Sequence, residues 1–306
     1  MPTSGSFRSR ARRCCARSTK RRSGNARASG VELRRPSSVA ELEPAGNSLL
    51  LAGGTEVVPL LRAGILEAEE LVDVRGIVPR GIDGRTIGAA TTLAELEASA
   101  AVPDVLREAC RLAASPQLRN AGTLAGNLLQ STRCWYWRLQ WPCRLHGGDT
   151  CFARAGEHRE HAVFANDFCA SAHPSDVAAA LLALDASVRT DRRELSLADL
   201  YRVPTQDDRR TTTLEPGELI LSVDVPPCER SAYLKAMERK LWAFPLVGVA
   251  AVRSGGATRI ALAGVAPVPW LLDERGLDAA TPLPGNAYKL EIAAALVKRA
   301  TAQIGA

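Results

Sequence analysis

The chain has 306 residues, enough for one large domain or two ordinary ones, and its 46% apolar content supports a real core, which excludes a disordered protein. No run of about 18 apolar residues occurs, so no membrane span is expected. The formal charge of +6 would suggest a nucleic-acid partner, but nine of the 39 Lys and Arg lie in residues 1–30 with none of the 33 acids, which leaves the remainder at about −3 and excludes a basic groove.

That basic tail is rich in Arg, Ser, Gly and Ala and is expected to be disordered. Arg12-Arg13 is followed by no apolar h-region, so a twin-arginine export signal is rejected. A transit peptide is conceivable, but the tail reads better as an over-extended start, with recognisable protein from Val31.

From there, Ser37-Ser38 with Glu41 resembles a capped helix start. Ser48–Ala52 is a short apolar run closed by Gly53-Gly54-Thr55, which predicts a buried strand entering a tight turn. A short helix is expected over 56–63, strands over 70–74 and 86–89, and a helix from Thr92 with Glu95 at the capping-box position. Val105–Ala114 predicts a helix with Leu106, Ala109, Cys110 and Ala113 on one face, stopped by Ser115-Pro116. Residues 122–129 read as a loop or nest. Helix returns over 174–183 and strand over 187–190. Strands dominate from Leu219 (219–225, 246–252 and 259–265), before a last helix over 290–304. Short strands alternating with helices imply an α/β or α+β architecture. The polar run Thr205–Thr213 marks an expected domain boundary near residue 205.

Two glycine-rich segments carry chemistry. Leu-Ala-Gly-Gly-Thr-Glu at 51–56 joins a strand to a helix, where converging backbone N–H groups can cradle a pyrophosphate. Alone it reads more readily as an ordinary tight turn. No GxGxxG or Walker A sequence occurs. Arg119-Asn120-Ala121-Gly122-Thr123-Leu124-Ala125-Gly126-Asn127 is the second segment. Together they resemble the medium, FAD-binding subunit of the xanthine dehydrogenase/carbon monoxide dehydrogenase family. His-Pro-Ser-Asp at 173–176, Ile-Leu-Ser-Val-Asp-Val-Pro at 220–226 and Ala-Phe-Pro-Leu-Val-Gly-Val-Ala at 243–250 follow in the family's order.

The resemblance implies an α+β chain with a two-subdomain FAD-binding fold of the vanillyl-alcohol-oxidase type over 31–205. A C-terminal α/β domain of the carbon monoxide dehydrogenase flavoprotein type would follow over 206–306. Leu51, Ala52, Gly53, Gly54, Thr55, Glu56, Val57 and Val58 would wrap the FAD pyrophosphate. Thr123, Gly126 and Asn127 would form a second flavin loop, Asp176 would bind ribityl or ribose hydroxyls, and Ile220 and Lys235 would be further flavin contacts. Two departures stand out. Ala125 occupies a position where the family usually has Gly, and the stretch between Val265–Trp270 and Asn286–Lys289 is shorter than usual.

Residues 131–169 differ from the rest. They hold Trp135, Tyr136, Trp137, Trp141, Phe152, Phe164 and Phe168, with Cys134, Cys143, Cys151 and Cys169 separated by eight, seven and seventeen residues. No close CxxC pair occurs, so structural zinc is disfavoured, whereas iron–sulfur clusters accept wide spacing. Four buried free thiols remain the plain alternative. The flanking sequences Gln130–Arg138 and Gly147–Ala153 resemble the subgroup of flavin subunits with an inserted 4Fe–4S loop, which makes the four cysteines the expected ligands. His146, His158 and His161 read as polar loop groups, and Cys110 as core.

No molybdopterin signature is recognised. The resemblance implies an oxidoreductase subunit, without catalytic residues of its own, that receives electrons from a molybdopterin-binding large subunit through a 2Fe–2S small subunit and passes them from FAD to an external acceptor. A flavin subunit of a 4-hydroxybenzoyl-CoA reductase-like enzyme and a thiolate-metal interaction module without redox activity are the alternatives. A cytoplasmic location is expected, or a periplasmic one by co-export with a partner.

Overall fold

The structure, a computed structural model, describes residues 30–42, 46–239 and 243–306. The expected disordered tail, with Cys14 and Cys15, lies outside the described residues, and Val31–Ala306 forms one compact unit. Three sheets build it. The first is parallel, in the order β1 (Glu32–Arg34), β3 (Glu70–Asp73), β2 (Ser48–Leu51), with α1 (Val57–Arg62) between β2 and β3. A parallel pair needs a crossover, and the short α1 supplies it.

The second sheet begins with the hairpin β4 (Ile82–Asp83) and β5 (Thr86–Gly88). Five helices follow: α2 (Leu93–Ala98), α3 (Asp104–Ala113), α4 (Pro116–Ala121), α5 (Leu124–Leu128) and, in the cysteine-rich stretch, the single-turn α6 (Trp135–Arg138). Thr92 and Glu95 form the expected capping box. Ser115 does end α3, but it also caps α4, with Pro116 at the first helical position, where a missing N–H costs nothing. The segment 122–129, read as a loop, contains α5, capped by Thr123. After the one-turn α7 (Phe152–Ala155) come α8 (Asp176–Ala183), β6 (Ser187–Thr190), β7 (Glu194–Ser196), α9 (Leu197–Leu200) and β8 (Ile220–Asp224).

β8 inserts between β5 and β6, giving the antiparallel order β4-β5-β8-β6-β7. A strand beyond the polar run at 205–213 thus completes a sheet begun before it. The run itself is docked: Arg209 Nη1 donates to the carbonyls of Arg144 (3.0 Å) and Gly148 (2.9 Å) in the cysteine-rich segment.

The third sheet, in the C-terminal part, is antiparallel throughout, in the order β12 (Trp270–Leu271), β11 (Ala257–Ala263), β10 (Val247–Ser254), β9 (Arg230–Ala236). Ala250 and Val252 join the core with α3 and α8, whereas Val249 and Ala251 join a second core with α10 (Tyr288–Ile304). Helices on both faces explain why β10 reads as a continuous apolar run instead of alternating. α10 is anchored at its start by the fully buried Lys289, whose Nζ donates to the carbonyls of Glu160 (3.0 Å), His161 (3.0 Å) and Gly264 (2.5 Å).

Candidate functional site

β2 ends against the turn at Gly53-Gly54, and the reason for each glycine differs. A Cβ on Gly53 would lie 1.8 Å from the Ala121 carbonyl oxygen, because the turn packs directly on the backbone leading into α5. Gly54 has φ +71°, the left-handed region that side chains resist. The first helical hydrogen bond of α1 runs from Val58 N to the Gly54 carbonyl, so the N–H groups just before it belong to the turn that helix geometry leaves without internal partners. In the facing segment the N–H groups are already engaged: Leu124 on Thr91 O, Ala125 on Ala89 O, Gly126 on Thr123 Oγ1 and Asn127 on Thr123 O. Backbone donors for an anion are therefore open at residues 53–57 and not at residues 124–127, which act as a wall.

Two clefts open on either side of these segments. The first, about 820 Å³, is lined by Leu50, Ala52, Val74, Val78, Ala89 and Ala90 among others. From the sequence-predicted set it also gathers Gly53, Gly54, Thr55, Glu56, Val57, Thr123, Gly126 and Ile220. The second, about 880 Å³, includes Leu93, Ala113, Ser115, Leu118, Asn127, Arg133 and Phe244. Thr55, Glu56 and Gly126 line both. A ligand with two aromatic ends joined by a pyrophosphate, which is FAD, matches two largely apolar clefts meeting at a helix start. Ala125 sits in helical backbone inside α5 with its methyl on the first cleft wall, so replacement of the family glycine costs no strain.

Other predicted contacts fall elsewhere. Leu51 and Val58 lie behind the Gly54 turn, within van der Waals distance of the position a Gly54 side chain would take. Asp176 and Lys235 do not line either cleft; they form a fully buried ion pair of 2.8 Å, with Tyr233 Oη donating to the other Asp176 oxygen at 2.6 Å. Burial pushes the Asp176 carboxyl up, against the pull of Lys235 and Tyr233. Expected as flavin contacts, the two stand behind the cleft walls in this structure, where Lys235 Nζ also holds the carbonyl of Leu112, next to Ala113 in the second cleft.

Glu218, which sequence reading missed, lines the first cleft and is 5% exposed. Arg193, Thr190 and the Glu215 N–H all donate to it, and the Arg193 contact foremost holds its carboxyl down at about 2 from an ordinary 4.5. A carboxyl lowered by folding stabilises fully above the unfolded value and loses this as pH falls through the folded one. Unfolding titrations between pH 6 and 2.5 are expected to show an acid-side loss on the order of 3 kcal/mol that is missing from Glu218→Gln. Equal acid slopes for the two proteins would remove this role.

The four predicted cysteine ligands also come together. Cys134, Cys143, Cys151 and Cys169 line one small cavity with Tyr136, Trp137 and Phe152. Trp141 packs edge-on against Tyr136 (5.2 Å) and Phe152 (4.9 Å). Burial pushes the Cys134 thiol up to about 12 and the Cys169 thiol up to about 11. Among the described residues no trio of Cys, His, Asp or Glu converges tightly enough for a single metal ion. Four thiols lining one cavity are the donor type that iron–sulfur clusters take. Cys110 is buried in the core, as its helix face predicts.

A third cavity joins these parts. It shares Arg133 and Phe244 with the second cleft and Cys134 with the cysteine cavity. Glu56 fixes this junction by accepting from Arg133 Nη2 (2.8 Å), Arg138 Nη2 (2.5 Å) and the Ser131 N–H. Its side chain therefore ties the flavin turn to the cysteine segment, a task that its position after Gly-Gly-Thr did not disclose.

Residues 30–228 match the family described as the FAD binding domain in molybdopterin dehydrogenase, and the chain belongs to that family and so to the FAD-dependent oxidoreductases. It is 39% identical over 245 residues to the aldehyde oxidoreductase FAD-binding subunit PaoB of Escherichia coli (strain K12), covering 73% of this chain and 76% of that one. With the carbon monoxide dehydrogenase medium chain of Afipia carboxidovorans it shares 27% identity over 74% of this chain and 69% of the relative. The solved carbon monoxide dehydrogenase from Hydrogenophaga pseudoflava superposes with a TM-score of 0.63 at 26% identity, over 89% of this chain and 96% of the solved one.

Proposed function

We propose that this chain is the electron-relaying FAD subunit of a molybdenum hydroxylase acting on an aldehyde-type substrate, and that it carries its own 4Fe–4S cluster on Cys134, Cys143, Cys151 and Cys169. The observation that carries the reading is the contiguity of the two clefts, the third cavity and the cysteine cavity through Glu56, Arg133 and Cys134. FAD supplies the conversion between one-electron donors and a two-electron acceptor. Residues 53–57 bind its pyrophosphate, the apolar cleft walls exclude water, and Arg133 and Phe244 stand between the second cleft and the cysteines. The likeness to PaoB supports an aldehyde oxidoreductase over a 4-hydroxybenzoyl-CoA reductase-like enzyme. The partners are a molybdopterin-binding large subunit and a 2Fe–2S small subunit. Among the described residues no helix is long and apolar enough to cross a membrane.

Iron and acid-labile sulfide measured on anaerobically purified protein test the cluster. About four iron atoms per chain are expected. Changing any one of the four cysteines to Ala is expected to lose most of the iron while flavin stays bound, whereas Cys110→Ala keeps both. Iron-free wild-type protein with intact flavin, or zinc in its place, sinks the cluster.

A further inference from the structure

Resting on the proposed cluster, we infer that His161 is a positioning residue that sets the cluster's reduction potential, by donating its Nε2–H to the Cys134 sulfur on the side facing the flavin. His161 Nε2 lies 3.2 Å from Cys134 Sγ. The ring is almost fully buried, 2% exposed, and Trp135 packs edge-on against it at 4.5 Å. Its backbone is fixed too: the carbonyl accepts from Lys289 Nζ and Asn286 Nδ2, and the N–H donates to the His158 carbonyl. The backbone that carries the ring is thereby held in place.

His161 Nδ1 is buried and has no hydrogen-bond partner, so the sulfur is the hydrogen-bond partner of this imidazole. The neighbouring histidines are spent differently. His146 stacks on Trp137 and meets its carbonyl, and His158 bridges Ala153 O, Gly156 O and the Gly285 N–H. Cys169 has Ser171 Oγ at 3.3 Å, a weaker hydroxyl partner.

A sulfur bonded to iron carries no proton, so the proton between Nε2 and Sγ is the imidazole's, and this fixes the tautomer. An N–H directed at a ligand sulfur withdraws charge and favours the reduced, more negative cluster. Cys134 is also the cysteine that lines the third cavity leading to Arg133 and Phe244. The donor thus acts on the cysteine that borders both the cysteine cavity and the third cavity.

The experiment is a redox titration of the cluster followed by electron paramagnetic resonance, with iron content measured on each sample. The full-length proteins compared are wild type, His161→Leu, which keeps bulk without a donor, and His161→Gln, which restores an N–H. His161→Leu is expected to retain iron and to shift its reduction equilibrium about tenfold toward the oxidised form, about 59 mV lower for one electron. His161→Gln is expected to return most of the way, and flavin potentials to stay unchanged. If Leu costs the cluster, a Gln protein that keeps iron at the wild-type potential still supports the donor. Iron retained in both variants at an unchanged potential, or Gln shifted as far as Leu, overturns the inference alone. Iron-free wild type removes the cluster itself.

Discussion

Gly53→Ala is expected to lose more than nine-tenths of bound flavin and to destabilise the protein by about 3 kcal/mol or more. The added methyl would lie 1.8 Å from the Ala121 carbonyl oxygen and 2.7 Å from its carbon, a collision with backbone on both counts, and tight against Gly122 Cα at 3.2 Å. That backbone cannot yield easily. Gly122 N donates to the Leu118 carbonyl closing α4, and the Gly122 carbonyl accepts from Leu93 N at the start of α2. Relief must come from spreading the two segments, which is the motion that pulls Thr55 and Glu56 away from Gly126 and opens the junction of the two clefts. Gly54→Ala is the control. Its methyl would meet only Val58 Cγ2 at 3.4 Å and Leu51 Cδ1 at 3.6 Å, so the cost is the left-handed backbone, about 1–2 kcal/mol, with partial flavin retention. Flavin absorbance per chain and urea unfolding of both variants decide the matter. Equal losses from the two would show that phosphate approach, not loop packing, dictates both glycines.

The order of those two effects could not be read from the sequence, although the turn itself could. Leu51–Glu56 announces a strand, a tight turn and a helix start through local rules alone, and residues 48–62 fold that way. What Gly53 packs against depends on residues some seventy positions away, which local chemistry does not encode. The same distinction runs through the site. Thr123 and Gly126 were named through the family resemblance alone, and the structure adds that Thr123 caps α5 by accepting from the Gly126 N–H. Glu218 and Phe244 reach the clefts only through the insertion of β8 and the chain that leads into β10. α5 was read as loop because Gly126 and Asn127 are poor helix formers, and the Thr123 cap with burial of Leu124 and Leu128 overrides them. The cysteine block was legible from composition, yet the pairing of His161 with Cys134 spans 27 residues of irregular chain and has no sequence signal.

Lys235→Met is expected to cost about 3–5 kcal/mol and to lower flavin content only as far as the fold weakens. A motif match gives the position of a residue but not the direction of its side chain, and here both members of the predicted flavin-contact pair turn inward. Asp176 opens α8, where the helix dipole favours an acid, and it is 1% exposed. Lys235 and Tyr233 reach it from β9, and Lys235 adds the Leu112 carbonyl at the end of α3. Three elements are thereby joined at one buried carboxylate. Removing the ammonium leaves that carboxylate uncompensated, which is worse than removing both charges. Asp176→Leu with Lys235→Met should therefore be more stable than Lys235→Met alone. It should stay below wild type, since the Tyr233 hydroxyl and the Leu112 carbonyl lose their partners at about 1–3 kcal/mol each. Thermal unfolding of the single and double variants, with flavin affinity measured on whatever remains folded, separates support from contact. A Lys235→Met protein of normal stability that binds flavin tenfold more weakly would return Lys235 to the flavin and refute its assignment as a prop behind the second cleft.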